Sequence, residues 1–162
     1  MELLYSADCD GRGLDLLFDA CAFTSCGPTI MLVEVLETKT VLGLYTSGPW
    51  RSTRKVYGDG TCFVCCYNPP AVYKWSPNSS SSSSEDDGGV GLVVNEQFMT
   101  TADGFIAMGA NPTGGAAIRI NQDMTEGWTE GTDTFGNVPM VEGGTFEVGR
   151  VECYRFASIF AV

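Results

Sequence analysis

Turn-forming residues divide this chain into short segments, and this restricts the fold more than any other feature of the sequence. Glycine occurs 20 times in 162 residues. Short runs rich in β-branched and aromatic residues lie between the turns, a pattern that predicts an antiparallel β-sandwich or barrel. The clearest turn signals are Asp10-Gly11, Gly48-Pro49, Asn68-Pro69-Pro70, Asp103-Gly104, Gly114-Gly115, Gly136-Asn137 and Gly143-Gly144.

One segment has a helical pattern instead. Within residues 14–21, apolar side chains fall at i, i+3, i+4 and i+7, which predicts an amphipathic helix. Residues 29–37 are almost continuously apolar and predict a central, buried strand. Residues 41–47 follow a short polar break and predict its hairpin partner.

Further strands are predicted in three segments, residues 71–75, 116–121 and 146–156. Gly149 interrupts the last of them and predicts a β-bulge. Residues 76–89 are rich in serine and acids and cannot bury enough apolar surface to offset the entropy of ordering. We expect them to form a flexible surface insertion within a single domain of residues 1–162.

Charge limits the classes of partner. The net charge is −11; residues 1–75 carry six basic and eight acidic groups (−2), and residues 76–162 carry three and twelve (−9). Nucleic acid and anionic membrane surfaces would be repelled. The strongly acidic residues 76–162 favour a basic partner, although an acidic protein surface more often only keeps the protein soluble. The acidic N-terminus and the lack of a long apolar run predict a cytoplasmic protein without membrane insertion.

The chain contains no histidine. This excludes Ser-His-Asp and Cys-His catalysis, Cys/His zinc sites and facial-triad iron sites. A general base near neutral pH would have to be a carboxylate, a lysine or a thiolate. We therefore expect no catalytic residues, no metal and no cofactor.

Three of the seven cysteines lie in the segment TCFVCCY, residues 61–67, where Cys62 and Cys65 are spaced C-x-x-C. Because Phe63-Val64 favours a strand, these two thiols should point to opposite faces and serve as packing atoms, in preference to a redox pair or a metal clamp. We expect Cys9 and Cys26 to be the most exposed thiols. Cys9, placed just before the first helix, is the candidate redox residue.

Three further segments carry possible chemistry. Arg51, Arg54 and Lys55 form the basic cluster of the chain directly after Trp50, and a basic loop beside an exposed tryptophan can bind an acidic partner. Alternatively, the cluster only balances a local excess of acids. Residues 121–135 are dense in acids and could hold calcium, but they lack an EF-hand pattern and favour a solvated loop. The glycine-rich residues 109–115 favour a strand-connecting turn over a phosphate cradle.

Taken in order, the motifs of the chain resemble those of the TLDc domain, the domain of the oxidation-resistance protein family. No motif is specific alone, but their order and spacing run nearly end to end. Thr132 stands where many members have a cysteine. The matching segments are Leu3-Leu4-Tyr5-Ser6, Gly27-Pro28-Thr29, Leu42-Gly43, Pro49-Trp50, Tyr57-Gly58-Asp59-Gly60, Tyr73-Lys74-Trp75, Ile106-Ala107-Met108-Gly109, Asp123-Met124, Thr134-Phe135-Gly136-Asn137 and Phe146-Glu147-Val148 with Glu152 and Tyr154.

The resemblance implies a mainly β fold, a two-layer antiparallel β-sandwich with a few flanking helices. It also implies a role in oxidative-stress resistance, binding to subunits of the vacuolar proton pump (V-ATPase), and recruitment to vacuolar or lysosomal membranes through that pump. The family has no established active site. We expect a monomeric, non-enzymatic interaction domain. The alternative is a weak enzyme, either a thiol-based peroxide scavenger or a hydrolase that uses a carboxylate.

The motif-matching segments also suggest a polar pocket. Asp123, Thr134, Asn137 and Glu152 could form one cluster, in which the carboxylate of Glu152 is half-buried and is satisfied by Asn or Thr of the TFGN loop (residues 134–137). We expect this cluster to hold the loop to the sandwich.

Overall fold

The structure of the protein, a computed structural model, describes residues 1–22, 27–77, 96–102 and 104–156. The elements within these ranges are β1 (Glu2–Ser6), α1 (Ala7–Asp10), α2 (Leu14–Ala22), β2 (Thr29–Val35), β3 (Val41–Thr46), β4 (Phe63–Cys66), β5 (Ala71–Lys74), β6 (Met99–Ala102), β7 (Phe105–Met108), β8 (Ile118–Asn121), β9 (Glu126–Trp128) and β10 (Thr145–Arg155). The predicted mainly β fold with a few helices is confirmed.

The ten strands of the described part form one antiparallel sheet in the order β5-β4-β3-β2-β10-β9-β8-β7-β6, and β1 pairs with β10. Strand β10 joins two halves: its first residues pair with β9, and its later residues pair with β2 and β1. The register shifts between Val148 and Val151, so the bulge predicted at Gly149 is confirmed. A bulge bends its strand, which allows one strand to serve both layers of a sandwich.

In the described part of the chain, one hydrophobic core lies between the two halves. It contains Met31, Val33 and Leu44 from one half and Ile106 and Ile118 from the other, all completely buried. Alternation along the strands explains this core, because every second residue of β2 is buried. The predicted hairpin is also confirmed, since β2 and β3 pair in register from Thr29↔Thr46 to Glu34↔Val41.

Helix α2 confirms the amphipathic pattern, with Leu14, Leu17 and Cys21 buried. Helix α1 was not predicted. The expectation that Cys9 precedes the first helix is therefore wrong: Cys9 lies inside α1 and, as expected, its thiol is exposed. The four residues ADCD are too short for a periodic signal, and α1 packs mainly on β1 and β10.

Other segment predictions are partly confirmed. The turn at residues 109–115 does connect β7 to β8. The stretch 121–135 is not simply a solvated loop, because it contains β9 and the buried residues Thr129, Thr132 and Thr134. Residues 78–89 of the predicted insertion and Cys26 lie outside the described residues. In the described part of the chain, no helix has the length and apolarity needed to cross a membrane.

Candidate functional site

The most distinctive charged surface of the molecule is the basic loop, which we define as Arg51, Arg54 and Lys55. All three residues are exposed and follow strand β3 in the connection to β4. Within the described ranges, no carboxylate lies within 4.0 Å of any of these cations, whereas Arg12, Lys39, Arg150 and Arg155 each have an acidic partner. The local counter-charge interpretation therefore finds no support among the described carboxylates.

The expectation of an exposed tryptophan beside this loop is wrong. Trp50 is only 1% exposed and is one of the largest completely buried side chains of the core. Its indole Nε1 has no hydrogen-bond acceptor among the described residues. Trp50 therefore cannot contact a partner in the folded protein. It fixes the start of the basic loop to the core instead.

Hydrogen bonds fix the loop at its far side. The hydroxyl of Thr101 in β6 donates to the carbonyl oxygen of Arg51 at 2.8 Å, and the Thr53 amide donates to the Thr101 hydroxyl at 3.1 Å. The Arg51 guanidinium lies 4.8 Å from the centroid of the Tyr57 ring, a cation–π geometry. The Arg51 amide also donates to the Tyr57 hydroxyl at 3.2 Å. The first cation of the loop is thus held in place before any partner binds.

The environment of Tyr57 predicts a dependence of stability on alkaline pH. Burial raises the pKa of Tyr57 to about 12, whereas an unfolded tyrosine has a pKa of about 10. The stabilisation due to the neutral phenol should be complete below pH 10 and lost as the pH rises through about 12. We expect the melting temperature to fall over this range, and to fall less steeply in Tyr57→Phe. If the melting temperature fell equally steeply with pH in the unmodified chain and in Tyr57→Phe, the inferred burial of the Tyr57 phenol would be contradicted.

The strand thiols lie as predicted. Cys62 and Cys66 are buried on the core side with Val64, and Cys65 is half-buried on the opposite side. Burial also raises the pKa of the Cys65 thiol, which lowers its thiolate fraction. Their role as packing atoms is therefore supported. The alternative of peroxide chemistry at the exposed Cys9 stays a prediction.

The four residues of the predicted polar cluster do not form one pocket. Thr134 and Asn137 are buried, but Asp123 is exposed in the turn between β8 and β9. Glu152 is half-buried, as expected, on the outer side of β10. Its carboxylate accepts a hydrogen bond from the Tyr154 hydroxyl at 2.7 Å and not from the TFGN loop. Sequence alone could not separate the two groups, because the partner of each side chain depends on how distant segments come together.

The buried part of this cluster ties two loops together. The Thr132 hydroxyl donates to Asn137 Oδ1 at 2.5 Å, and Asn137 Nδ2 donates to the carbonyl oxygens of Glu130 and Val138 at 2.8 and 3.0 Å. The Ala110 amide donates to the Thr134 hydroxyl at 2.9 Å. The network therefore holds the TFGN loop to the β7–β8 connection, which is the structural role expected for Thr134 and Asn137.

Sequence reasoning missed Thr132 and Asn111 as members of this network. Asn111 accepts hydrogen bonds from the amides of Thr113 and Gly115 and donates to the carbonyl oxygen of Gly131 at 3.0 Å. The signal that could have found Asn111 is its place in Asn-Pro-Thr-Gly, since asparagine often bonds the backbone two residues on in turns. No sequence pattern near Thr132 indicates its role, because its partner Asn137 is brought to it only when residues 132–137 fold into a loop.

An acidic groove lies at the junction of β9 and β10. Its cavity has a volume of about 350 Å³ and is lined by Glu37, Glu126, Glu147 and the half-buried Trp128. No group of three or more His, Cys, Asp or Glu side chains that could hold a metal ion occurs among the described residues. The acidic side chains of the 121–135 segment, Asp123, Glu126, Glu130 and Asp133, are all exposed.

The geometry agrees with the family suggested by the motifs. The sequence profile of the TLDc domain matches residues 1–157. The chain belongs to the TLDc domain family. It is also similar to the GTPase-activating protein skywalker of Drosophila melanogaster, with 28% identity over 142 residues. That match covers 82% of this chain and 22% of skywalker, so the TLDc chain spans about a fifth of the relative's length.

Proposed function

We propose that this TLDc domain is a non-enzymatic interaction domain that takes part in oxidative-stress resistance and regulates the V-ATPase by binding subunits of the pump. The observation that supports this proposal is the basic loop, in which three exposed cations lie within residues 51–55 and have no described carboxylate within 4.0 Å. In a chain of net charge −11, such a loop selects an acidic surface on the partner and steers its approach.

The anchoring of the loop supports the same function. Ordering a flexible loop on binding costs roughly 0.5–1.5 kcal/mol for each immobilised side chain. Here Trp50, Thr101 and Tyr57 already hold the backbone and the first arginine in place. More of the interaction energy is then available for affinity, which suits a loop whose task is binding.

The relation to skywalker extends the proposal to longer proteins. Skywalker is named as a GTPase-activating protein, and the match to the present domain covers only 22% of it. We infer that the TLDc domain acts as a targeting module, which brings any attached regulatory region to the pump and so to vacuolar or lysosomal membranes. No GTPase-activating residue is assigned to the domain itself.

Charge reversal of the basic loop tests this proposal. The chain should recover V-ATPase subunits from a cell lysate, and Arg51→Glu/Arg54→Glu/Lys55→Glu should lower that recovery at least tenfold. The reason is that three attractive contacts become repulsive at an interface. Recovery is measured by affinity purification followed by quantitative identification of the bound subunits.

The matched control reverses two exposed cations elsewhere. Arg54→Glu/Lys55→Glu in the loop and Lys39→Glu/Arg150→Glu outside it change the net charge equally. Among the described residues, Lys39 and Arg150 make surface ion pairs with Glu34 and Asp8, and such pairs contribute little to stability. Only the loop variant should lose the pump. Equal losses in both variants would remove the loop from the interface, and failure of the unmodified chain to recover any subunit would overturn the proposed function.

A further inference from the structure

A groove lies on the outer side of the half of the sheet that contains β6, β7, β8 and β9. Register places Thr100, Ala107, Arg119 and Trp128 in one row across these four strands. The neighbours of Ala107 along β7 are completely buried, so this row points away from the core. The Arg119 groove is the cavity of about 400 Å³ on this row, and it is lined by Gln97, Thr100, Phe105, Ala107, Arg119 and most of the β7–β8 connection (residues 109–116).

Two aromatic rings hold the guanidinium of Arg119. Its central carbon lies 3.9 Å from the centroid of the Phe105 ring and 5.8 Å from that of the Trp128 ring, and both distances are within the range of a cation–π contact. Contact with a ring face uses none of the five N–H donors, because these lie in the plane of the guanidinium. The side chain is thus oriented before a ligand binds, and its donors remain available.

The donors of Arg119 have no partner in the part of the chain that the structure describes. No described carboxylate lies within 4.0 Å of the guanidinium, and no described acceptor forms a hydrogen bond with it. Glu130 and Arg119 line a smaller adjoining cavity of about 210 Å³, but the carboxylate of Glu130 accepts a hydrogen bond from Asn111 at 3.1 Å instead. The side chains of Gln97 and Thr100 also form no hydrogen bond with a described residue.

The charges around the groove favour a carboxylate over other anions. The planar fork of an arginine binds carboxylate or phosphate through two parallel hydrogen bonds. Arg119 is the one cation among the described lining residues, Glu130 lies in the adjoining cavity, and the chain has a net charge of −11. A phosphate with two negative charges is therefore repelled more strongly than a carboxylate with one.

The other lining residues favour a peptide as the carrier of this carboxylate. Gln97 and Thr100 each offer a donor and an acceptor, which suits a peptide backbone with its N–H and C=O groups. Phe105 adds an apolar contact. Arg119 and residues 112–114 are exposed, so a small ligand would stay largely in water, whereas small-molecule sites bury at least about 70% of the ligand surface. An extended peptide gains further contacts along the groove.

We propose that the Arg119 groove binds an acidic peptide segment of a partner protein, with one carboxylate on the guanidinium of Arg119 and the adjacent peptide groups on Gln97 and Thr100. Since Arg119 is exposed, water weakens the ion pair, and we expect a dissociation constant of about 0.1–1 mM for a short peptide. No residue of the basic loop lines the groove. The site therefore does not rest on the proposed V-ATPase binding, and its test uses the purified chain without the pump.

NMR titration of the isotopically labelled full chain measures this binding. The probe is the acetylated and amidated peptide Ala-Leu-Glu-Leu-Ala, and its control has Gln in place of Glu. The Glu peptide should shift the amide signals of β6, β7, β8 and residues 109–116, and should bind about threefold to fivefold more tightly than the Gln peptide, as an exposed ion pair allows. Arg119→Gln should lose this difference, because it removes the contact that distinguishes the two peptides.

Arg150→Gln is the matched control, because Arg150 is an exposed arginine of β10 outside the groove and its loss changes the net charge equally. It should leave the dissociation constant of the Glu peptide within about 1.5-fold at physiological salt, which screens charges that make no direct contact. Unchanged dispersion of the remaining amide signals shows that each variant is folded.

Three results would overturn the proposal. The first is equal binding of the Glu and Gln peptides to the unmodified chain. The second is binding of sodium acetate or sodium phosphate as tight as that of the Glu peptide, which would identify a small anion as the ligand. The third is weaker binding in Arg54→Gln but not in Arg119→Gln, which would place the peptide on the basic loop.

Discussion

Replacing Trp50 with alanine is expected to lower the free energy of unfolding by about 3–5 kcal/mol, the usual cost of truncating a buried aromatic side chain. Trp50 is 1% exposed and belongs to the same hydrophobic core cluster as Cys62 and Met99. Its removal opens a cavity at the start of the basic loop, which the adjacent strands cannot fill without moving. Urea denaturation at pH 7 measures the effect as a shift of the unfolding midpoint.

Trp50→Phe separates packing from hydrogen bonding. The indole N–H has no acceptor among the described residues, and an unsatisfied buried donor costs roughly 1–3 kcal/mol. Phenylalanine removes that donor and keeps most of the apolar area, so it should cost less than half as much as alanine. If the phenylalanine variant were as unstable as the alanine variant, the indole N–H of Trp50 would have to be hydrogen-bonded, and its description as an unsatisfied donor would be wrong.

The second large effect is expected for Asn137→Ala, with a loss of about 2–4 kcal/mol in unfolding free energy. Asn137 is 4% exposed and makes three hydrogen bonds, to the Thr132 hydroxyl and to the carbonyl oxygens of Glu130 and Val138. Alanine leaves the hydroxyl of Thr132 and the carbonyl of Glu130 buried without this partner. Thermal unfolding followed by circular dichroism measures the change.

Two variants bracket this prediction. Asn137→Asp keeps the shape but places an ionised carboxylate against two carbonyl oxygens, so it should be at least as destabilising as alanine. Asp133→Ala, in the same loop, removes an exposed side chain and keeps the backbone bond from the Asp133 amide to Ala110. It should change stability by less than about 0.5 kcal/mol. If Asn137→Ala were as mild as Asp133→Ala, the network would not hold the loop.

Local pattern was sufficient where burial follows from periodicity. The alternation of Cys62, Val64 and Cys66 against Phe63 and Cys65 was predicted, because in a strand the face of a side chain depends only on its position. Helix α2 was predicted because its apolar residues form one stripe, which packs against the core. The bulge at Gly149 was predicted because a glycine interrupts a run of strand-forming residues.

Prediction failed where a side chain leaves the local pattern. Trp50 follows Gly48-Pro49 in a loop and precedes three cations, so its neighbours along the chain indicated exposure. The structure buries it, because the connection between β3 and β4 folds back over the core. The polar cluster failed for a related reason. Glu152 and Asn137 both lie on segments that match the family, but Glu152 bonds Tyr154, whereas Asn137 bonds Thr132 and the carbonyl oxygen of Glu130.

The sequence by itself therefore indicated strands β2, β3, β4, β5, β8 and β10, the main helix, the resemblance to the TLDc family and the positions of the basic residues, since these depend on residue type and spacing. Only the tertiary structure decided which groups meet. It buried Trp50 beneath the basic loop, joined Thr132 to Asn137, and paired Glu152 with Tyr154 and not with the TFGN loop. Such contacts depend on strand order and loop closure, because residues far apart along the chain become neighbours only when the sheet is assembled.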